Sequence, residues 1–127
     1  MLKIDARIST PIYEQVIVGI KELILKGVLK AGDKLPSVRE LSTLLTINPN
    51  TVSKAYIELE KENIVEVIRG RGTFISKEYS TNISKEKLDN IIIDFKRIIL
   101  EANYLGLGEK DLISLLSKEY RDMKGEV

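Results

Sequence analysis

Cysteine and histidine are both absent from the 127 residues. Without cysteine the chain forms no disulfide and offers no thiolate to a metal; without histidine it lacks the commonest general base and the commonest transition-metal ligand. No motif pairs a nucleophile with a base, so an enzyme is the least favoured class, and neither a cofactor nor a metal site is expected. No apolar run reaches membrane-spanning length, and the N-terminus lacks a basic-then-apolar signal pattern, so the expected location is cytoplasmic with no membrane partner. Low-complexity stretches are missing too, and 43% hydrophobic with 31% charged residues are values of a folded chain. The length holds a small domain plus an accessory segment, with no room for an effector domain of ordinary size. A strong charge of either sign is likewise lacking, since the formal net charge is +1. Residues 1–77 carry 12 Lys/Arg against 9 Asp/Glu, and residues 78–127 carry 8 against 10. That asymmetry is too small to identify a nucleic-acid binder by itself.

What is there concentrates between Pro36 and Ser76. Ser37, followed three residues later by Glu40, is a capping box, so a helix starts at Ser37. Asn48 before Pro49 is a second start signal, because Asn caps well and Pro at the first helical position gives up an N–H that has no partner anyway. Only Leu45, Thr46 and Ile47 remain for the turn between the two helices. In the second helix Val52, Tyr56 and Leu59 form one apolar stripe, leaving Asn50, Thr51, Ser53 and Lys54 directed away from the core. Its first turns hold no acid; Glu58, Glu60 and Glu62 come only at the far end. Ile64–Ile68 and Thr73–Ile75 are β-branched runs around Arg69-Gly70-Arg71-Gly72, a hairpin with a basic tip. Helix, turn, helix and hairpin in this order make a winged helix-turn-helix.

Pro11-Ile12-Tyr13, Gly32 to Ser37, Val38-Arg39-Glu40-Leu41, Asn48-Pro49-Asn50-Thr51-Val52 and Gly70-Arg71-Gly72-Thr73-Phe74 together resemble the GntR family of bacterial transcriptional regulators, and most closely its YtrA-like subfamily. The resemblance covers roughly residues 10–77. It implies a sequence-specific DNA-binding regulator, a repressor, acting as a homodimer on a double-stranded inverted-repeat operator. Two positions depart from the family, Thr46 and Asn63, where it has glycine. Asn tolerates the left-handed backbone that glycine supplies, whereas β-branched Thr resists it, which bears on the geometry of the turn.

Either side of this module the pattern is helical. A helix opened by Thr10-Pro11 shows Ile12, Val16, Ile20, Leu23 and Ile24 on one stripe and stops at Gly27. Ile17, Val18 and Leu25 are surplus to one face, so this helix is either deeply buried or meets a partner chain. Met1–Ser9 reads as a short strand or an ordered arm, and Lys77–Ser84 as a polar connection. Beyond it, Leu88, Ile91, Ile92, Phe95, Ile98, Ile99 and Ala102 keep helical spacing, Gly106-Leu107-Gly108 breaks it, and Leu112, Ile113, Leu115, Leu116 and Tyr120 resume it. Two helices alone cannot enclose so many apolar side chains. The fold expected is mainly α with a small β-wing: a winged helix-turn-helix over residues 1–77, then a two-helix dimerisation hairpin over 78–127. Its interface would use Leu88, Ile91, Ile92, Phe95, Ile99, Leu112 and Leu116. No convergent polar group marks a pocket there, so a small-molecule effector, if one is sensed, stays unidentified.

The candidate DNA-binding residues are Arg39, Asn48, Asn50, Thr51, Ser53, Lys54, Arg69, Gly70 and Arg71. Asn and Lys address base edges, and short hydroxyls and cations bond phosphates. Arg39 faces away from Leu41 and Leu44, with a solvated role or an ion pair to Glu40 as the plain alternative. Asn48 is equally explained as a cap. Gly70 is required by the hairpin tip and also permits close approach of Arg69 and Arg71 to a groove. Glu58 and Glu62, one turn apart, fit a solvated face far better than a cation site. Tyr13, Tyr56, Phe95 and Tyr104 are spaced as core or interface residues. The rival functions are a protein-interaction adaptor built on a winged-helix scaffold, indifferent to salt and DNA, and an architectural nucleic-acid binder. The latter needs exposed aromatics or a broad basic surface, and neither is evident.

Overall fold

The computed structural model describes residues 2–77 and 84–125, which fall into two compact units, one within residues 1–80 and one within 81–127. Most of the expected polar connection, and the boundary between residues 77 and 78, lie outside the described residues.

In the first unit α1 (Ile12–Leu25), α2 (Val38–Leu45) and α3 (Pro49–Lys61) precede the strands β1 (Val65–Ile68) and β2 (Gly72–Ile75). Both helix starts behave as their sequences dictate. Ser37 Oγ accepts from the Glu40 N–H at 3.0 Å while the Glu40 carboxylate accepts from the Ser37 N–H at 3.2 Å. Asn48 Oδ1 accepts from the Asn50 N–H at 2.8 Å. The backbone hydrogen bond from Ser37, and then its hydroxyl, hold the Glu40 carboxyl below its usual range.

Four successive helices, α1 to α3 and the following α4 (Lys85–Tyr104), leave by one device. A residue one or two positions past the helix turns to positive φ and donates to a carbonyl three back, and the next residue donates five back. Gly27, Thr46, Asn63 and Gly106 occupy that position, with φ 78°, 55°, 60° and 81°. Thr46 thus adopts the left-handed conformation despite its branched Cβ, because the Thr46 N–H to Thr43 and Ile47 N–H to Ser42 hydrogen bonds, at 3.3 and 3.0 Å, hold it there. The helix-turn-helix geometry survives at the cost of strain. Thr46→Gly is expected to stabilise the unit by about 0.5–1 kcal/mol in urea unfolding followed by circular dichroism, since glycine removes that strain but frees the unfolded chain.

The core joins Val16 and Ile20 of α1, Leu41 of α2, Val52, Ala55, Tyr56 and Leu59 of α3, and Leu35, Ile64, Val65 and Ile75 of the wing. Burial pushes the Tyr56 phenol up, and its hydroxyl donates to the Pro36 carbonyl at 2.7 Å. Leu44 does not belong to this core. It is 68% exposed, because the stripe of α2 runs through Val38, Leu41 and Leu45 and leaves position 44 to one side. Of the surplus apolar residues on α1, Ile17 packs against the core, whereas Val18 and Leu25 stay exposed. The N-terminal segment is an arm, with no strand between Leu2 and Pro11. Leu2 seats in the notch left by Gly19. Gln15 clamps the backbone, accepting from the Asp5 N–H at 2.8 Å and donating to the Asp5 and Thr10 carbonyls at 2.9 Å each.

The wing has more than two strands' worth of pairing. β1 and β2 are antiparallel, with Ile68 opposite Gly72. Gly32–Leu35 runs along the other edge of β2: Leu35 N–H donates to Thr73 O, and Ile75 N–H to Asp33 O, both at 2.8 Å.

The second unit is α4 (Lys85–Tyr104) and α5 (Glu109–Lys124). The Leu107 N–H closes onto the Ala102 carbonyl at 2.9 Å, and Ala102 is its buried residue. The helices do not close on each other, and a groove of about 610 Å³ runs between them. No helix among the described residues is long and apolar enough to cross a membrane.

Candidate nucleic-acid interface

Capping decides where the candidate polar side chains of α3 end up. With Asn48 as N-cap and Pro49 at the first helical position, Asn50, Thr51 and Lys54 emerge on the side opposite Val52, Tyr56 and Leu59. Asn48, Asn50, Thr51 and Lys54 line one shallow depression of about 330 Å³, closed on its far side by Ile12 and Tyr13 from the start of α1. Ser53 is half-buried and does not line it. The Asn48 carbonyl oxygen is committed to its cap, which leaves its amide N–H₂ as the group able to reach outward.

Arg39 is exposed on the first turn of α2. Its ion pair with Glu40 does not form, since that carboxylate is engaged by Ser37. Neither Arg39, Arg69 nor Arg71 has a carboxylate partner among the described residues. Glu58 and Glu62, by contrast, each hold a lysine: Lys61 Nζ lies 3.4 Å from Glu58, and Lys21 Nζ lies 3.2 Å from Glu62. The acids at the far end of α3 therefore belong to ordinary surface ion pairs.

At the wing tip the Arg71 N–H donates to the Ile68 carbonyl at 2.9 Å, with Gly70 between them at φ 79°. That φ at the third position is the mark of a type II turn, which a side chain would strain. The turn exposes Arg69 and Arg71 on either side of a bare backbone. Gly72 has a steric reason to be glycine beside its φ of 126°. A Cβ at Gly72 would lie 3.0 Å from Lys34 Cε and 3.7 Å from its Nζ, so the Lys34 stem crosses the wing through the space a side chain would fill. Sequence reasoning missed Lys34. A signal was present in Asp33-Lys34-Leu35, whose out-and-in alternation suits an edge strand, but nothing local says which strand it pairs with.

The arrangement offers amide, hydroxyl and ammonium groups at the start of one helix and unpaired cations on a hairpin. That set suits an anionic polymer with readable edges.

Residues 12–75 match the family model described as bacterial regulatory proteins, gntR family. The chain is 51% identical over 125 residues to the HTH-type transcriptional repressor YtrA of Bacillus subtilis (strain 168), covering 98% of this chain and 96% of that one. Among solved structures, one described as a transcriptional antiterminator from Listeria monocytogenes EGD-e superposes with a TM-score of 0.91 at 38% identity, covering 100% of this chain and 96% of that one. The DNA-binding domain of AraR in complex with operator ORE1 superposes with a TM-score of 0.52 at 25% identity, covering 60% of this chain and 93% of that one.

Proposed function

Because the chain belongs to the GntR family of bacterial regulatory proteins, we propose that it is a cytoplasmic, sequence-specific DNA-binding transcriptional regulator, a repressor that acts as a homodimer on an inverted-repeat operator. The first unit reads DNA and the second joins two copies. The observation that carries the reading is the acid-free depression at the start of α3, where Asn48, Asn50, Thr51 and Lys54 converge. The similar AraR domain with operator supports the same use of the fold. Each α3 enters a major groove with half-sites one helical turn or a multiple apart, and Arg39 and the wing grip the backbone or the adjoining groove.

The direct test is selection of bound duplexes from a random pool by purified protein at two salt concentrations. Recovery of an inverted repeat, with affinity falling steeply as salt rises, is the expected result. Uniform recovery would move the function to architectural binding, and no recovery at either salt would favour the adaptor.

Lys34, Arg69 and Arg71 form the wing's contribution, each neutralising a phosphate. Arg71→Ala and Lys34→Met should each weaken operator and random duplex by the same factor, about tenfold, and lower the slope of log affinity against log salt by about 0.9. Titrations across a salt series measure both. Lost discrimination with non-specific binding intact would instead make the wing a base reader.

A further inference from the structure

Tyr13 is spaced as a core or interface residue, and its ring does pack at the edge of the core. Its face does something else. Lys54 Nζ sits 3.9 Å from the ring centroid, on the side that opens into the depression. The alternative partner for this ammonium is one helical turn away, Glu58, but that carboxylate takes Lys61 at 3.4 Å. Lys54 has no carboxylate partner among the described residues. The distinction matters for recognition. A carboxylate would hold Lys54 by neutralising it and occupying an N–H, whereas an aromatic face holds a cation through the ring quadrupole and leaves its charge, and the N–H donors that point away from the ring, unspent. The Tyr13 hydroxyl donates to Glu14 at 3.2 Å, which locks the phenol in turn and raises its ionisation above the ordinary value.

We propose that Tyr13 is a positioning residue of the nucleic-acid interface: its ring face fixes the Lys54 ammonium over the depression, so that α3 presents one localised, un-neutralised cation to a base-edge acceptor. The inference rests on the DNA-binding reading. It adds a residue from α1, outside the helix-turn-helix and the wing, whose action runs entirely through Lys54. An ordered lysine reads a position, whereas a lysine free to sweep several rotamers bonds whichever acceptor is near.

A double-mutant cycle on operator binding tests it. Tyr13→Leu should weaken operator binding about fivefold, the size of a cation–π contact. Tyr13→Phe, which keeps the ring, should restore affinity to within about twofold of the starting protein. In a Lys54→Met background Tyr13→Leu should cost nothing further. Pentafluorophenylalanine at position 13 has almost the same shape but the reversed quadrupole, and it should behave like leucine; this keeps the test valid if Tyr13→Leu disturbs folding. In the free protein, the Lys54 ε-methylene protons should show an upfield ring-current shift in NMR spectra that Tyr13→Leu abolishes. Equal penalties for Tyr13→Leu in both backgrounds, or a pentafluoro variant that binds normally, would overturn the proposal. A ring-current shift in a protein that selects no duplex would instead overturn the DNA-binding reading on which it stands.

Discussion

Ile99→Glu is expected to convert the proposed homodimer to a monomer and to weaken operator binding by at least about 100-fold, with the winged unit still folded. The second unit buries little of its apolar surface. Leu88, Ile91, Ile92, Phe95, Ile98 and Ile99 on α4, and Ile113, Leu115 and Leu116 on α5, are all exposed in the single chain, Phe95 at 49%. Ala102 alone among its described residues is buried. A helical pair of some forty residues with so small a core has too little apolar burial to offset its chain entropy. The groove between α4 and α5 is lined by Phe95, Ile98, Ile99, Leu112 and Leu116, and in the proposed homodimer a helix of the second copy would fill it, as in a four-helix bundle. Each apolar side chain that goes from half-exposed to buried contributes about 1 kcal/mol. A glutamate at position 99 would place an unpaired carboxylate in that seam, which costs several kcal/mol. The DNA consequence follows from tethering, since two linked half-site readers exceed one by about 10²–10⁴-fold. Sedimentation equilibrium of wild type and variant, beside operator titration, decides it. A wild type that is monomeric at micromolar concentration, or a variant that stays dimeric, would sink the proposed role of this unit.

Leu59→Ala should lower the stability of the winged unit by about 3 kcal/mol, or about 15 °C in the midpoint of thermal unfolding. Leu59 is 0% exposed at the centre of the core, where α3 meets α1 and the wing, and its carbonyl accepts the Ile64 N–H at 3.0 Å to end the helix. Replacing its isobutyl group by a methyl leaves a cavity that neighbouring backbone cannot collapse into, and the expected loss is a large share of what a domain this size possesses. The comparison within one helix isolates the cause. Ile57, two residues earlier, is 50% exposed; Ile57→Ala should cost under about 1 kcal/mol. Differential scanning calorimetry of the two variants measures the contrast, and equal losses would mean that the core is not where the burial pattern puts it.

Much of this molecule could be read from its residues because its punctuation is local. Ser37 with Glu40, Asn48 with Pro49, and Gly70 in the hairpin tip act on groups within three residues of themselves, so their effects survive whatever the rest of the chain does. The orientation of α3 follows for the same reason, since a helix whose start and stripe are known has known faces. Thr46 shows the limit of such reasoning. Its intrinsic preference opposes the turn, but two backbone hydrogen bonds outweigh a strain of about 1 kcal/mol.

What distant segments do to one another was not legible. Leu44 and Leu45 are chemically alike, and only the packing of α2 on α3 half-buries one and leaves the other exposed. Gly32–Leu35 pairs along the edge of the two-stranded wing because β2, nearly forty residues later, passes within hydrogen-bonding distance. Gln15 looks like an ordinary helix-surface residue until the arm from Leu2 folds across it.

By itself, then, the sequence determined the order of elements, their caps, the acid-free start of α3, the basic hairpin tip and the family resemblance. Each rests on contacts between residues a few positions apart. Tertiary structure alone decided that Lys34 crosses the wing beside Gly72 and that Tyr13 holds Lys54. Those pairs are separated by roughly forty residues, and nothing in the intervening chain encodes their meeting except the whole set of core contacts that brings α1, α3 and the wing together.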